Sequence, residues 1–451
     1  MSRFVNIDRD THYLLPPSVD DWLPKKHLAR FVVEVIDQLD LSALTRQYAG
    51  RGSAAHHPAV LLGLLVYGYA SGVHSSRKLE RATYDSVAFR YVAANTHPDH
   101  DTLATFRRRF LKEIEGLFVQ VLLLAREMKL LKLGQIALDG TKIKANASKH
   151  RALSWAHANR IEAQLREEVQ ALLKLAEASD KQAQADGMDV PAEIARREDR
   201  LKAIAQAKAD IEERARQRHA AEQQEYEAKL AARKAKRDAG KKPGGKEPAP
   251  PQAGPKAGDQ INLTDAESRI MLASDGGFEQ SYNAQAGVDT ETMLVITQHV
   301  TQACNDKREV APTLDQIAAL PDVLGEVDVL LADNGYCSRT NASDCVDAGI
   351  KPLLAMKREH HHVPLTERFA QDAAAPETSD PMITMAHELG TQAGRALYAL
   401  RKQTVEPVFG IIKRVLGWRQ MSMRGLAKAQ GEWCLVTLCW NIKRMHVLRL
   451  V

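Results

Sequence analysis

Apolar residues recur at three- and four-residue spacing from about residue 24 to 130, the period of helices that bury one face. Phe31, Val32, Val35, Ile36 and Leu39 make one such face. Pro58 stands where a first helical turn tolerates a residue without an N–H, so a helix is predicted over Ala59–Tyr69. Thr102–Phe110 sets Arg107, Arg108 and Arg109 beside Phe106 and Phe110. This part of the chain is expected to be all-α with one basic edge.

At Gly134 the period changes. Gln135–Asp139 predicts a short strand with Ile136 and Leu138 on one face, closed by Asp139, with a turn at Gly140 and Lys142 and Lys144 beyond it. Ser148 to about Ala239 is rich in Ala, Glu, Lys, Arg and Gln. Ile161, Leu165, Val169, Leu172 and Ala176 form one apolar stripe there, and Leu201, Ile204, Ala207 and Ile211 a second. With Asp186-Gly187 between them, the two stripes predict a helical hairpin of coiled-coil character. Gly240–Gly258 has the Lys/Pro/Gly composition of a mobile linker.

Strand signals then return. Tyr282–Asp289 and Met293–Thr301 flank a polar turn at Thr290-Glu291, a hairpin signature. Val310–Leu320 predicts a helix, Val327–Ala332 a buried strand, Ser343–Ala348 a helix and Ile350–Ala355 a strand. Lys357 to about Asp380 looks irregular, and helices follow over roughly Thr391–Leu416 and Glu432–Leu448. Strand, insertion, strand, strand, helix, strand, helix, strand, helix is the order of a mixed α/β sheet of the ribonuclease-H-like kind. The division expected is a helical segment over 1–130, a catalytic core over 131–149 and 262–451, and a charged helical insertion with its linker over 150–261.

Composition refines this picture. At 451 residues the chain exceeds the size at which one core stops growing. Apolar content of 44% against 5% aromatics makes the cores aliphatic. A net charge of +5 decides little, but Arg395–Val451 holds eleven Lys and Arg against Glu406 and Glu432, a surplus of nine that suits a polyanion. Five scattered cysteines without a CxxC pair suggest neither a disulfide framework nor a zinc ribbon, and reduced thiols in a cytosolic protein are expected. The N-terminus lacks the apolar stretch of a signal peptide, and the longest apolar run, Ala59–Ala70, is too short to span a bilayer. A cytoplasmic, nucleoid-associated protein without a membrane partner is expected.

Three acids stand where such a fold brings strand ends and a last helix together: Asp139 after the first strand, Asp333 after the fourth, and Glu406 on the last core helix. Taken singly, each has an ordinary explanation, as a turn residue, a helix N-cap or a surface acid. Gathered, they repel unless a cation neutralises them, and oxygen ligands without Cys or His specify Mg²⁺ or Mn²⁺. Two such ions about 3.5–4 Å apart hold the attacking and leaving oxygens of a phosphodiester displacement.

Four stretches resemble bacterial insertion-sequence DDE transposases: Ala137–Asn146, Ser281–Asp289, Leu330–Ser338 and Arg401–Lys413. The resemblance covers most of the chain. It implies that Asp139, Asp333 and Glu406 are the catalytic metal ligands, and that Tyr398, Arg401, Glu406 and Lys413 match a Tyr, Arg, Glu, Lys signature. Arg401 lies one residue further from the Glu than in the usual pattern while Lys402 takes that spacing, so either cation is a candidate for DNA contact. Lys413, seven residues from Glu406, is expected on the same helix face as a phosphate-holding cation. Tyr282, Asn283 and Gln285 also match a family motif, with Asn283 and Gln285 on one strand face. His360, His361 and His362 are expected to be loop.

The function implied is metal-dependent DNA cleavage and strand transfer at terminal inverted repeats. The partners implied are transposon ends and target DNA, with a homodimer in the active complex. The helical N-terminal segment, Arg107 and Arg108 included, would bind the ends. Two alternatives remain open at this point: a nuclease of the same fold that does not join strands, and a catalytically silent DNA-binding regulator derived from a transposase.

Overall fold

The computed structural model describes residues 18–48, 55–179, 189–240, 242–273, 276–356 and 372–450. The His360–His362 run lies outside them. Two compact units emerge, residues 1–144 with 282–451 and residues 145–281.

The first unit opens with helices α1 (Val19–Trp22), α2 (Leu28–Gln38), α3 (Ser42–Thr45), α4 (Pro58–Ala70), α5 (Ser76–Asp85), α6 (Val87–Val92), α7 (His100–Arg109) and α8 (Leu111–Glu127). The amphipathic reading of α2 holds, with Phe31, Val32, Val35 and Ile36 buried, and Pro58 opens α4 at its first turn. Strand β1 (Gln135–Lys144) follows. It does not close at Asp139: the backbone stays extended through Gly140 to Lys144, so the predicted turn is absent and Asp139 lies mid-strand.

The second unit contains β2 (Ala152–Ser154), α9 (Trp155–Ser179), α10 (Val190–Asp238), β3 (Gln260–Asn262), β4 (Arg269–Leu272) and the first residues of β5 (Phe278–Asp289). The helical hairpin is present and has its own core of Leu153, Ala158, Leu165, Ile204, Ala207, Ile211 and Ile261. The segment expected to be a mobile linker instead lies back along α10. Arg233 Nη1 donates to the carbonyls of Gly244 and Lys246, and Arg218 Nη2 to that of Gly254. Proline and glycine leave backbone carbonyls without local partners there, and the long α10 arginines supply the donors.

Back in the first unit come the rest of β5, β6 (Val295–Thr301), α11 (Val310–Ala318), β7 (Val329–Ala332), α12 (Arg339–Asp347), β8 (Lys351–Leu354), α13 (Pro381–Gly390), α14 (Gln392–Gly410) and α15 (Leu426–Leu450). Within the first unit the strands run β6-β5-β1-β7-β8, with β5/β6 antiparallel and β1/β7 and β7/β8 parallel, and β4 pairs antiparallel with the first residues of β5. This is the ribonuclease-H-like order, reached with the second unit intervening in sequence between β1 and most of β5. Buried along most of its length, α15 packs on α2, α4, α8 and β6, so the N-terminal helices share one hydrophobic core with the sheet. Among the described residues no helix is long and apolar enough to cross a membrane.

Candidate active site

Parallel pairing of β1 with β7 sets Gln135 level with Val329 and Ala137 with Leu331. Continued two residues further, that register sets Asp139 level with Asp333, which directly follows β7. Two carboxylates from remote parts of the chain thus come near each other, one within β1 and one just past the end of β7, and the charge of Asp333 acts on Asp139. Asp139 Oδ1 accepts from the Gly140 N–H at 2.8 Å. Asp333 caps a short 3-10 turn over Asn334–Tyr336, its Oδ1 accepting from the Gly335 N–H at 2.7 Å. The ordinary capping role is therefore real for Asp333, and it leaves the second oxygen available to the site.

Helix α14 supplies the third acid. Glu406 is half-exposed and precedes Pro407, which interrupts the hydrogen-bond ladder; after Gly410 the backbone widens into a π turn over Ile411–Val415. Arg401, five residues earlier on α14 and buried, lies between the acids: Nη1 is 3.2 Å from Asp139 Oδ2 and Nη2 3.4 Å from Glu406 Oε1. Its Nε has no hydrogen-bond partner among the described residues. Burial pushes the Asp139 carboxyl up to about 7; Arg401 and the Gly140 N–H oppose this, and the charges of Asp333 and Asp306 reinforce it.

The site therefore carries more negative charge than one guanidinium offsets. Its acids offer only hard oxygen donors, the chemistry a divalent cation takes up. Among the described residues no three acidic, His or Cys side chains converge on one ion-sized point. The carboxylates share a neighbourhood but do not form the tight trio expected, because Arg401 stands between two of them.

The other predicted cations are distributed differently from the expectation. Arg107 is buried in the first unit, with Nη1 donating to the Tyr69 hydroxyl at 2.9 Å and the His74 carbonyl at 3.2 Å. Its place on a DNA-facing edge is corrected: α7 turns it inward while Arg108 is exposed. Lys402 is exposed, Tyr398 buried. Lys413 does not extend the Glu406 face, because the π turn breaks the 3.6-residue count; its Nζ donates to the Lys142 carbonyl of β1 at 2.9 Å. Burial, then the charges of Lys142 and Arg414, lower its pKa to about 8. The basic C-terminal stretch is likewise partly internal: Lys443 donates to the Ala70 carbonyl, Arg444 to that of Thr292, and Arg449 pairs with Glu34.

One residue of the site was not anticipated. Asp306, between β6 and α11, accepts from Asn283 Nδ2 at 2.6 Å and Gln285 Nε2 at 2.7 Å, with Lys142 Nζ at 3.4 Å. Its signal in the sequence was indirect. Two carboxamides on one face of a buried strand require a polar partner.

Two family models match the chain: a Transposase domain (DUF772) over residues 17–109 and a Transposase DDE domain over residues 261–442. The chain belongs to the insertion-sequence DDE transposases. Comparison with curated proteins and with solved structures returns no match. Asp333 and Glu406 fall inside the DDE match, whereas Asp139 precedes it, separated by the unit that interrupts the core. The transposase is thus an enzyme of phosphodiester hydrolysis and transesterification that acts on DNA, in a family that works with divalent metal ions.

Proposed function

We propose that this transposase cleaves DNA at terminal inverted repeats and transfers the freed strand to a target, with Asp139, Asp333 and Glu406 as its catalytic carboxylates. The observation that carries this reading is the β1/β7 register, which sets Asp139 level with Asp333, together with the Arg401 bridge from Asp139 to Glu406 on α14. The oxygen-only donor set fits Mg²⁺ or Mn²⁺, held by these three side chains, two ions in all. When bound, such ions offset the carboxylate charge, acidify the attacking hydroxyl and stabilise the departing oxyanion.

The chain's own residues set the stage for that chemistry. Asp139 lies within β1 and Asp333 directly after β7, and the Gly140 and Gly335 N–H groups each hold one of their carboxylate oxygens. Arg401 pairs with both Asp139 and Glu406 and offsets part of their charge. Lys413 braces β1 through the Lys142 carbonyl, so phosphate contact falls to exposed cations such as Lys402 and Arg108. The N-terminal helices, within the Transposase domain match, bind the ends, and two chains act together because strand transfer needs two ends held at once.

The test uses the full chain and a duplex carrying the terminal inverted repeat that flanks its coding sequence. Asp139→Asn should abolish Mg²⁺-dependent nicking at the end while gel-shift binding of the same duplex persists. Nicking that survives the change would remove the site assignment. Pre-cut ends incubated with a target plasmid separate joining from plain hydrolysis.

A further inference from the structure

Asn283, Gln285 and Asp306 have no part in the three-acid scheme, yet they are built with more care than a loop requires. Asn283 and Gln285 are fully buried on one face of β5. A buried carboxamide without partners is costly, so both must be satisfied locally. Both amide nitrogens converge on a single oxygen, Asp306 Oδ1, and Gln285 Nε2 also reaches Asn283 Oδ1 at 3.0 Å. Gln285 Oε1 accepts from the Tyr336 hydroxyl, and Tyr336 closes the turn that Asp333 caps. On the opposite side the cluster presses on β1 beside Asp139. A Cβ on Gly140 would lie 2.6 Å from Asp306 Oδ1 and 2.9 Å from Asn283 Oδ1, closer than real Cβ atoms come.

The loop that carries Asp306 is itself pinned. The Glu309 N–H donates to the Asp306 carbonyl, and the buried Glu309 carboxylate meets His299 Nε2 at 2.9 Å. His299 is the β6 partner of Gln285 across the strand pair.

We propose that Asp306 is a positioning residue of the catalytic site: oriented by the carboxamides of Asn283 and Gln285, it locks β1 at Gly140 to the Tyr336 turn, and so fixes Asp139 and Asp333 relative to each other. The inference rests on the assignment of those two acids as catalytic. It gives the Asn283/Gln285 pair a chemical role, that of arms aiming a carboxylate rather than contacts for DNA.

The experiment compares the unaltered full chain with Asp306→Asn, Gly140→Ala and Asp139→Asn. Readouts are Mn²⁺ binding by electron paramagnetic resonance, nicking kinetics on the inverted-repeat duplex, and thermal melting. Asp306→Asn should lower kcat about 100-fold, the scale of a misplaced reacting group, with KM for the duplex and the Mn²⁺ stoichiometry unchanged. Gly140→Ala keeps every polar group but displaces the cluster, and should show the same kcat-selective loss; it carries the test if Asp306→Asn does not fold.

Three results overturn the proposal. One is full kcat in both variants. Another is loss of a bound Mn²⁺ in Asp306→Asn, which would make Asp306 a direct ligand. The last is a fall in melting temperature with normal kcat per folded molecule, which would make the cluster purely structural. If Asp139→Asn itself still nicks, the site assignment has failed and not only this inference.

Discussion

Arg107 and Arg108 are sequence neighbours with opposite destinations. Arg107 is enclosed by Tyr69 and the His74 carbonyl, and its charge acts on buried Glu432 of α15. Replacing it by Met leaves the Tyr69 hydroxyl short of a partner and Glu432 without a nearby cation, a loss of about 1–3 kcal/mol. Arg107→Met should therefore lower the urea midpoint and leave the salt dependence of DNA binding unchanged. Arg108→Ala should do the reverse, reducing the salt slope by about one phosphate contact. His74 adds a pH dependence. Burial, then Arg107 and Lys78, lower its pKa to about 4 from the ordinary 6.5. Between those values the unfolded chain binds the proton and the folded one does not, so stability is lost as pH falls from 6.5 towards 4. Melting temperatures across that window should fall, and fall less steeply in His74→Gln.

At the scale of elements, α15 and α14 show how packing overrides local pattern. The final helix was expected over Glu432–Leu448 but starts at Leu426. Its Gly431 lets it approach α8 so closely that an added Cβ would lie 2.7 Å from Leu111 Cβ. Gly431→Ala should cost about 1–3 kcal/mol by overpacking, despite the better helix propensity of alanine; a lowered denaturation midpoint checks it. On α14, Pro407 and the π turn after Gly410 redirect Lys413 from the Glu406 face to the β1 backbone. A spacing argument that assumes 3.6 residues per turn cannot anticipate this, since proline removes the N–H that the count depends on. Strand β1 errs in the other direction. Gly140 looked like a turn because glycine usually marks one, but here it is small for the sake of the Asp306 cluster.

For the molecule as a whole, the charged insertion is a body with a core of its own. Ile211 is almost fully buried there. Ile211→Ala should cost about 2–5 kcal/mol, and the loss should fall on the second unit alone. Hydrogen exchange should then quicken in α9 and α10 and stay unchanged in β1, β6 and β7.

The order of the main core strands and helices, the aliphatic cores, the interruption after β1 and the candidacy of Asp139, Asp333 and Glu406 were legible in the sequence alone, whereas the short strands β2, β3 and β4 and helix α13 were not. Period and turn chemistry are local properties, and the four family-like stretches are contiguous words. Only the tertiary structure decided that Asp139 comes near Asp333, that Arg401 reaches inward while Lys402 does not, and that the Asn283 and Gln285 amides meet Asp306. Strand register, helix rotation and the meeting of distant loops come from how side chains pack across the sheet, and no run of neighbouring residues encodes them by itself.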